Sequence, residues 1–115
     1  MQIHVHTAGT RPARTLAATA RRRLAYALDR FDHRVRSVRL RLAPEGPLDR
    51  RGTPHRCTIE LTTRGARPHV VARAVADSAA AALRLAIRRC VTHLTRSTER
   101  QADRDRQTQR GGRGR

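Results

Sequence analysis

Residues 35–43, VRSVRLRLA, and residues 55–63, HRCTIELTT, decide the fold of this chain. In the first stretch Val38, Leu40 and Leu42 alternate with Arg39 and Arg41. In the second, Cys57, Ile59 and Leu61 alternate with Arg56, Thr58, Glu60 and Thr62. Successive side chains of a strand point to opposite faces, so both stretches read as half-buried strands with one apolar and one polar face. Residues 44–54 between them (PEGPLDRRGTP) hold three prolines and two glycines and predict a loop. Arg64 to Pro68 predicts a turn around Gly65, and residues 69–75 (HVVARAV) a further, shorter strand. Connections this short join antiparallel neighbours, so these three strands form a meander.

Working outward, residues 2–6 (QIHVH) alternate as well, with Ile3 and Val5 on one side of a short strand. Ala8-Gly9-Thr10 breaks it, and Pro12 suits a first helical turn. Residues 13–31 then carry Leu16, Ala20, Leu24, Ala27 or Leu28, and Phe31 at intervals of three and four, which is one apolar stripe of a helix. Arg14, Arg21, Arg22 and Arg30 lie off that stripe, with Arg23 near its edge, and Asp32-His33 ends the helix. Towards the other end, Asp77 or Ser78 is the expected N-cap of a second helix over about 78 to 97. Its buried stripe is Ala79, Ala82 or Leu83, Ala86, Cys90 or Ile87, and Leu94, with Arg84, Arg88, Arg89 and Arg96 largely outside it. Apolar periodicity vanishes from Ser97 on. Residues 1–97 therefore read as one folded domain and residues 98–115, ending GGRGR, as a disordered basic tail.

The order is β-α-β-β-β-α. A helix between the first two strands implies a right-handed crossover that leaves them parallel. The fold class expected is α+β, two layers, a four-stranded sheet with two helices on one face.

Charge gives the strongest pointer to function. The chain of 115 residues has 26 basic residues against 9 acidic ones, a net charge of +17, and every basic residue is arginine. Self-repulsion on this scale opposes compaction, and a polyanion partner offsets it. Arginine suits phosphate, because its planar fork donates two hydrogen bonds at once. A genome rich in G and C explains arginine in place of lysine, but not the excess over acids. A run of charge is ordinarily a solvated face. Here Arg21-Arg22-Arg23 and Arg88-Arg89 have few acids one helical turn away, so a phosphate-binding surface is the better reading. Its candidates are Arg21, Arg22, Arg23, Arg30, Arg84, Arg88, Arg89 and Arg96, with Arg39, Arg41, Arg56 and Arg73 adding charge on strands. Tyr26 and Phe31 are the only aromatic residues, and Phe31 belongs to the core stripe. Single-strand readers stack bases on several aromatics of a sheet, which this chain cannot do. Recognition is therefore expected to rest on shape and phosphate, as on folded RNA.

Other classes have little support. The sequence has no phosphate-binding glycine loop, no zinc-protease helix motif and no nucleophile elbow, and its acids are not spaced as a catalytic pair, so an enzyme is not expected. No cofactor is implied. His4 and His6 are better read as the polar side of an edge strand than as metal ligands, and His33, His55, His69 and His93 are scattered. Cys57 and Cys90 lack CxxC spacing and read as buried, reduced thiols, which fits the cytoplasm. No run of about 18 apolar residues predicts a membrane span.

These residues resemble a known family, the ribosome hibernation-promoting factors, also called ribosome-associated translation inhibitors. The opening MQIHVHT is similar to that family's MQxxxTG start, and Phe31-Asp32-His33 to its (F/Y)FDH segment. Leu16, Ala20, Leu24 and Ala27 fall on its first-helix core positions. Val38 to Leu42 is similar to its second strand, and Ala72-Arg73-Ala74 with Ser78 to Leu83 takes the place of its A-x-A and DMYAAI segments. Arg88-Arg89 sits where the family has a D-K pair. The resemblance covers residues 1 to about 97 and keeps spacing better than identity. It departs at Ser78–Arg84, which lacks the family's tyrosine and final acid, and at Tyr26, where a lysine is common.

The resemblance implies binding to the small ribosomal subunit and its 16S-type rRNA, in the groove between head and body where mRNA and tRNA lie. It also implies inhibition of translation by occupancy, as a monomer off the ribosome. The basic positions it singles out are Arg22, Arg23, Arg89 and Arg96, with Arg30 and Arg88 as neighbours. Long family members carry a second domain that pairs ribosomes, and these residues include none. The alternative is a general structured-RNA- or double-stranded-RNA-binding module, which would treat any duplex as it treats a ribosome. A third reading, an acidic protein partner, predicts binding that survives nuclease.

Overall fold

A computed structural model of the chain describes residues 1–9, 13–46, 53–65 and 68–113. The elements run β1 (Gln2–Thr7), α1 (Ala13–Leu28), a 3-10 turn (Asp29–Phe31), β2 (Val35–Pro44), β3 (His55–Thr63), β4 (His69–Ala76) and α2 (Ala79–Arg113). The strands form one sheet in the order β1-β2-β3-β4. β1 and β2 are parallel, with Ile3 opposite Val38 and Val5 opposite Leu40. β2 and β3 pair antiparallel, Leu40 opposite Ile59, and β3 and β4 likewise, Ile59 opposite Ala72. The crossover, the meander and the two-layer α+β arrangement are those the alternation predicts. Pro12, and residues 47–52 of the proline-rich loop, lie outside the described residues.

One apolar sheet face and one stripe from each helix make the core. Leu40, Leu42, Cys57, Ile59 and Leu61 of the sheet are buried against Ala20, Leu24 and Leu28 of α1 and Ala82, Leu83, Ala86, Cys90 and Leu94 of α2. Both helices therefore cover the same side. Alternation in β2 is strict only from Val38 on, because the pairing with β3 shifts register between Val35 and Ser37. Such an irregularity turns Val35 inward together with Val38, an interval that a regular strand does not allow. At the β3–β4 turn Gly65 has φ of 125°, a conformation that side chains oppose.

Ser78 is the N-cap of α2: its Oγ accepts a hydrogen bond from the Ala81 amide at 3.1 Å. At the other end, α2 does not stop near residue 97. Past the end expected near residue 97 the helix continues to Arg113, and residues 114 and 115 lie outside the described residues. Loss of apolar periodicity marks where α2 leaves the sheet rather than where it ends. The residues beyond, TERQADRDRQTQR, are mostly good helix formers with no proline, so the backbone can propagate without a core to lean on.

Candidate nucleic-acid interface

The eight arginines singled out from the sequence are all exposed on the two helices or the short turn after α1. The reason is geometric. With Leu24, Leu28, Leu83 and Leu94 turned to the sheet, the positions between them must face solvent. None of the eight forms an ion pair among the described residues, whose pairs are Met1–Asp32, Arg56–Glu45 and Arg106–Asp103. Their charge is thus left for something outside the fold.

Hydrogen bonding divides them. Arg21 donates from Nη1 to the Ile3 carbonyl at 2.7 Å. Arg89 donates to the Arg73 carbonyl. Ile3 is on β1 and Arg73 on β4, the two outer strands, so each helix ties its neighbouring sheet edge with one arginine. Both forks keep further N–H donors for a ligand. Arg30 spans the seam between the helices: its Nη2 donates to Thr95 Oγ1 at 3.4 Å, and its guanidinium lies 4.8 Å from the centre of the Phe31 ring. The side chains of Arg22, Arg23, Arg84, Arg88 and Arg96 make no hydrogen bond among the described residues and are the freest of the eight.

Three features escape the sequence reading. Arg34 closes the same seam, donating to Ser97 Oγ at 3.2 Å and to Thr98 Oγ1. No pattern in sequence announces a contact across sixty-odd residues. Tyr26 stands 89% exposed beside the free arginines of α1, in contrast to Phe31 at 6%. Its signal was present, since position 26 falls midway between the buried Leu24 and Leu28 and so on the opposite side of the helix. The third is the helix-free sheet face, where His4 and His6 pair in register with Arg39 and Arg41 and line a shallow hollow with them. The strand arginines named from alternation thus make a second basic surface, opposite the helices.

Other chemistry is sparse. Among the described residues no group of three His, Cys, Asp or Glu side chains is placed to hold a metal ion. Cys57 and Cys90 are free and buried, and burial pushes both thiols up to about 12, well away from a reactive thiolate. No helix in the described residues is long and apolar enough to cross a membrane.

No family sequence model matches the chain, and no curated protein resembles it in sequence. Solved structures do resemble it. A ribosomal subunit interface protein from Coxiella burnetii superposes with a TM-score of 0.68 at 13% identity, over 86% of this chain and 99% of that one. The N-terminal domain of Protein Y from Thermus thermophilus superposes with a TM-score of 0.56 at 19% identity, over 84% of this chain and 98% of that one. In each case nearly the whole solved chain is matched, and the likeness at these identities is one of fold.

Proposed function

We propose that the chain associates with the ribosome, binding small-subunit rRNA in the groove that mRNA and tRNA occupy, and inhibits translation by filling it. The observation that carries this reading is the helical layer. It presents eight exposed arginines, none of them ion-paired among the described residues, on a fold similar to a ribosomal subunit interface protein and to Protein Y. Arginines without acids are a poor solvated surface and a good phosphate-binding one. The spacing of MQIHVHT, Phe31-Asp32-His33 and Arg88-Arg89, which resembles the hibernation factors, agrees with that choice of partner.

Co-sedimentation of the purified protein with isolated small subunits, at physiological salt and with excess duplex RNA as competitor, tests it. Saturable, near one-to-one binding that survives the competitor is expected. The basic open face of the sheet, with Arg39, Arg41, His4 and His6, favours a second reading as a general structured-RNA binder. Binding that the competitor abolishes would put that reading in place of the first.

A further inference from the structure

We propose that Tyr26 is a stacking platform for one unpaired RNA base, with the phosphates beside that base taken by Arg22, Arg23 and Arg30. The inference rests on the rRNA-binding reading and deepens it, by naming the kind of RNA element the helical face takes. The fold has no use for Tyr26 as packing: at 89% exposed, it leaves nearly its whole ring in water. Its surroundings are those of a base site. On one side it borders a hollow with Arg22 and Arg23, one helical turn before it, and Thr19, two turns before it. On the other it borders the groove between the helices, lined by Ala25, Ala27, Arg30 and Val91, with Asp29 the single acid.

A flat apolar ring between guanidinium groups matches a nucleotide part by part. The ring offers a π-face to the base, and the planar forks offer paired donors to phosphate. Ala27 and Val91 supply an apolar floor that the face of a base or its sugar can cover while the polar base edge stays in water. Bases within a helix are already stacked and out of reach, so the site accepts only a base freed in a loop, bulge or end. Stacking is tolerant of base identity, so the selectivity is for unpaired structure rather than for sequence. A sheet bare of aromatics but a helix carrying one therefore combine two modes, phosphate contact over the surface and stacking at one point.

The chain has one tyrosine and no tryptophan, so its intrinsic emission reports on Tyr26 alone. The probes are an RNA hairpin with an unpaired loop and the same stem as a blunt duplex. The hairpin is expected to quench the emission saturably, and the duplex to bind through charge while leaving most of the emission in place. Tyr26→Ala should weaken hairpin binding about ten-fold and leave duplex binding unchanged, and Tyr26→Phe should retain hairpin affinity. The inference is overturned if the hairpin neither binds nor quenches, if both RNAs quench alike, or if Tyr26→Ala binds the hairpin as the parent does. Small subunits separate the two proposals. Loss of affinity in Arg22→Glu/Arg88→Glu with none in Tyr26→Ala defeats the stacking site and keeps the rRNA reading. A parent protein that does not bind subunits at all defeats the rRNA reading, whereas the hairpin still decides on Tyr26.

Discussion

Arg88 and Arg89 are neighbours in sequence with different work in the fold. The Arg88 guanidinium makes no hydrogen bond among the described residues, whereas that of Arg89 holds the Arg73 carbonyl on β4. Arg88→Gln is therefore expected to leave the melting temperature alone, weaken RNA binding, and lower the slope of log affinity against log salt by roughly 0.7 to 0.9, the share of one phosphate. Arg89→Gln should in addition destabilise the fold by about 1 kcal/mol, because it frees a backbone acceptor on a sheet edge. Thermal unfolding beside salt-dependent binding distinguishes the two. The sequence made the arginine cluster legible, since exposure follows from the helical stripe alone. Which members fasten the sheet was not legible, because a bond from side chain to a distant carbonyl depends on how the helix sits. The cysteines are a second case at this scale. Both thiols rise from 9.0 to about 12 through burial, so the folded state holds protons that the unfolded state gives up in between. Their contribution to stability is complete below pH 9 and is lost as pH climbs towards 12. A thiol-specific reagent at pH 8 should accordingly label neither cysteine in the native protein and both in denaturant; labelling of the native form would contradict the burial.

Alternation over 35–43 and 55–63 was enough to place β2 and β3 and the faces they bury, because a period of two has one consistent solution when one side is apolar. The irregularity at Val35 was not readable, since it arises from the pairing of β2 with β3 and not from β2 itself. The helix start was readable in the same local way: serine is a strong N-cap, and Ser78 does bond the Ala81 amide. Ser78→Ala should cost about 1 kcal/mol of stability, measured in denaturant, with RNA affinity unchanged. Apolar periodicity reports burial, not helicity, so it does not mark the far end of α2. Where burial stops, the helix goes on to Arg113, and among the described residues its last side-chain bond to the rest of the molecule is that from Arg34 to Thr98. Arg34→Ala should remove the bonds to Ser97 and Thr98 and lower stability by roughly 1 kcal/mol, a fall of several degrees in melting temperature for a domain of this size.

At the scale of the whole molecule, the fold separates a packed body from an outlying charged helix. Among the described residues the last member of the buried core is Leu94, and none after Thr98 belongs to it. Residues 100–115 carry six arginines against two aspartates and leave the eight helical candidates untouched. Removing them should therefore keep the melting temperature within a few degrees, because neither a core residue nor the Arg34 bonds are lost. Duplex RNA, held by charge alone, should bind more weakly and with a shallower salt slope. Small subunits should still bind saturably, because Arg22, Arg23, Arg84, Arg88 and Arg96 and the surface they share remain. Sedimentation of the shortened protein with subunits, and its titration with duplex, read these two effects separately. If subunit binding fell as far as duplex binding, the outlying helix and not the packed body would hold the ribosome. A shape-reading surface on α1 and α2 would then have no part in recognition, and the arginines of the body would owe their exposure to the fold alone.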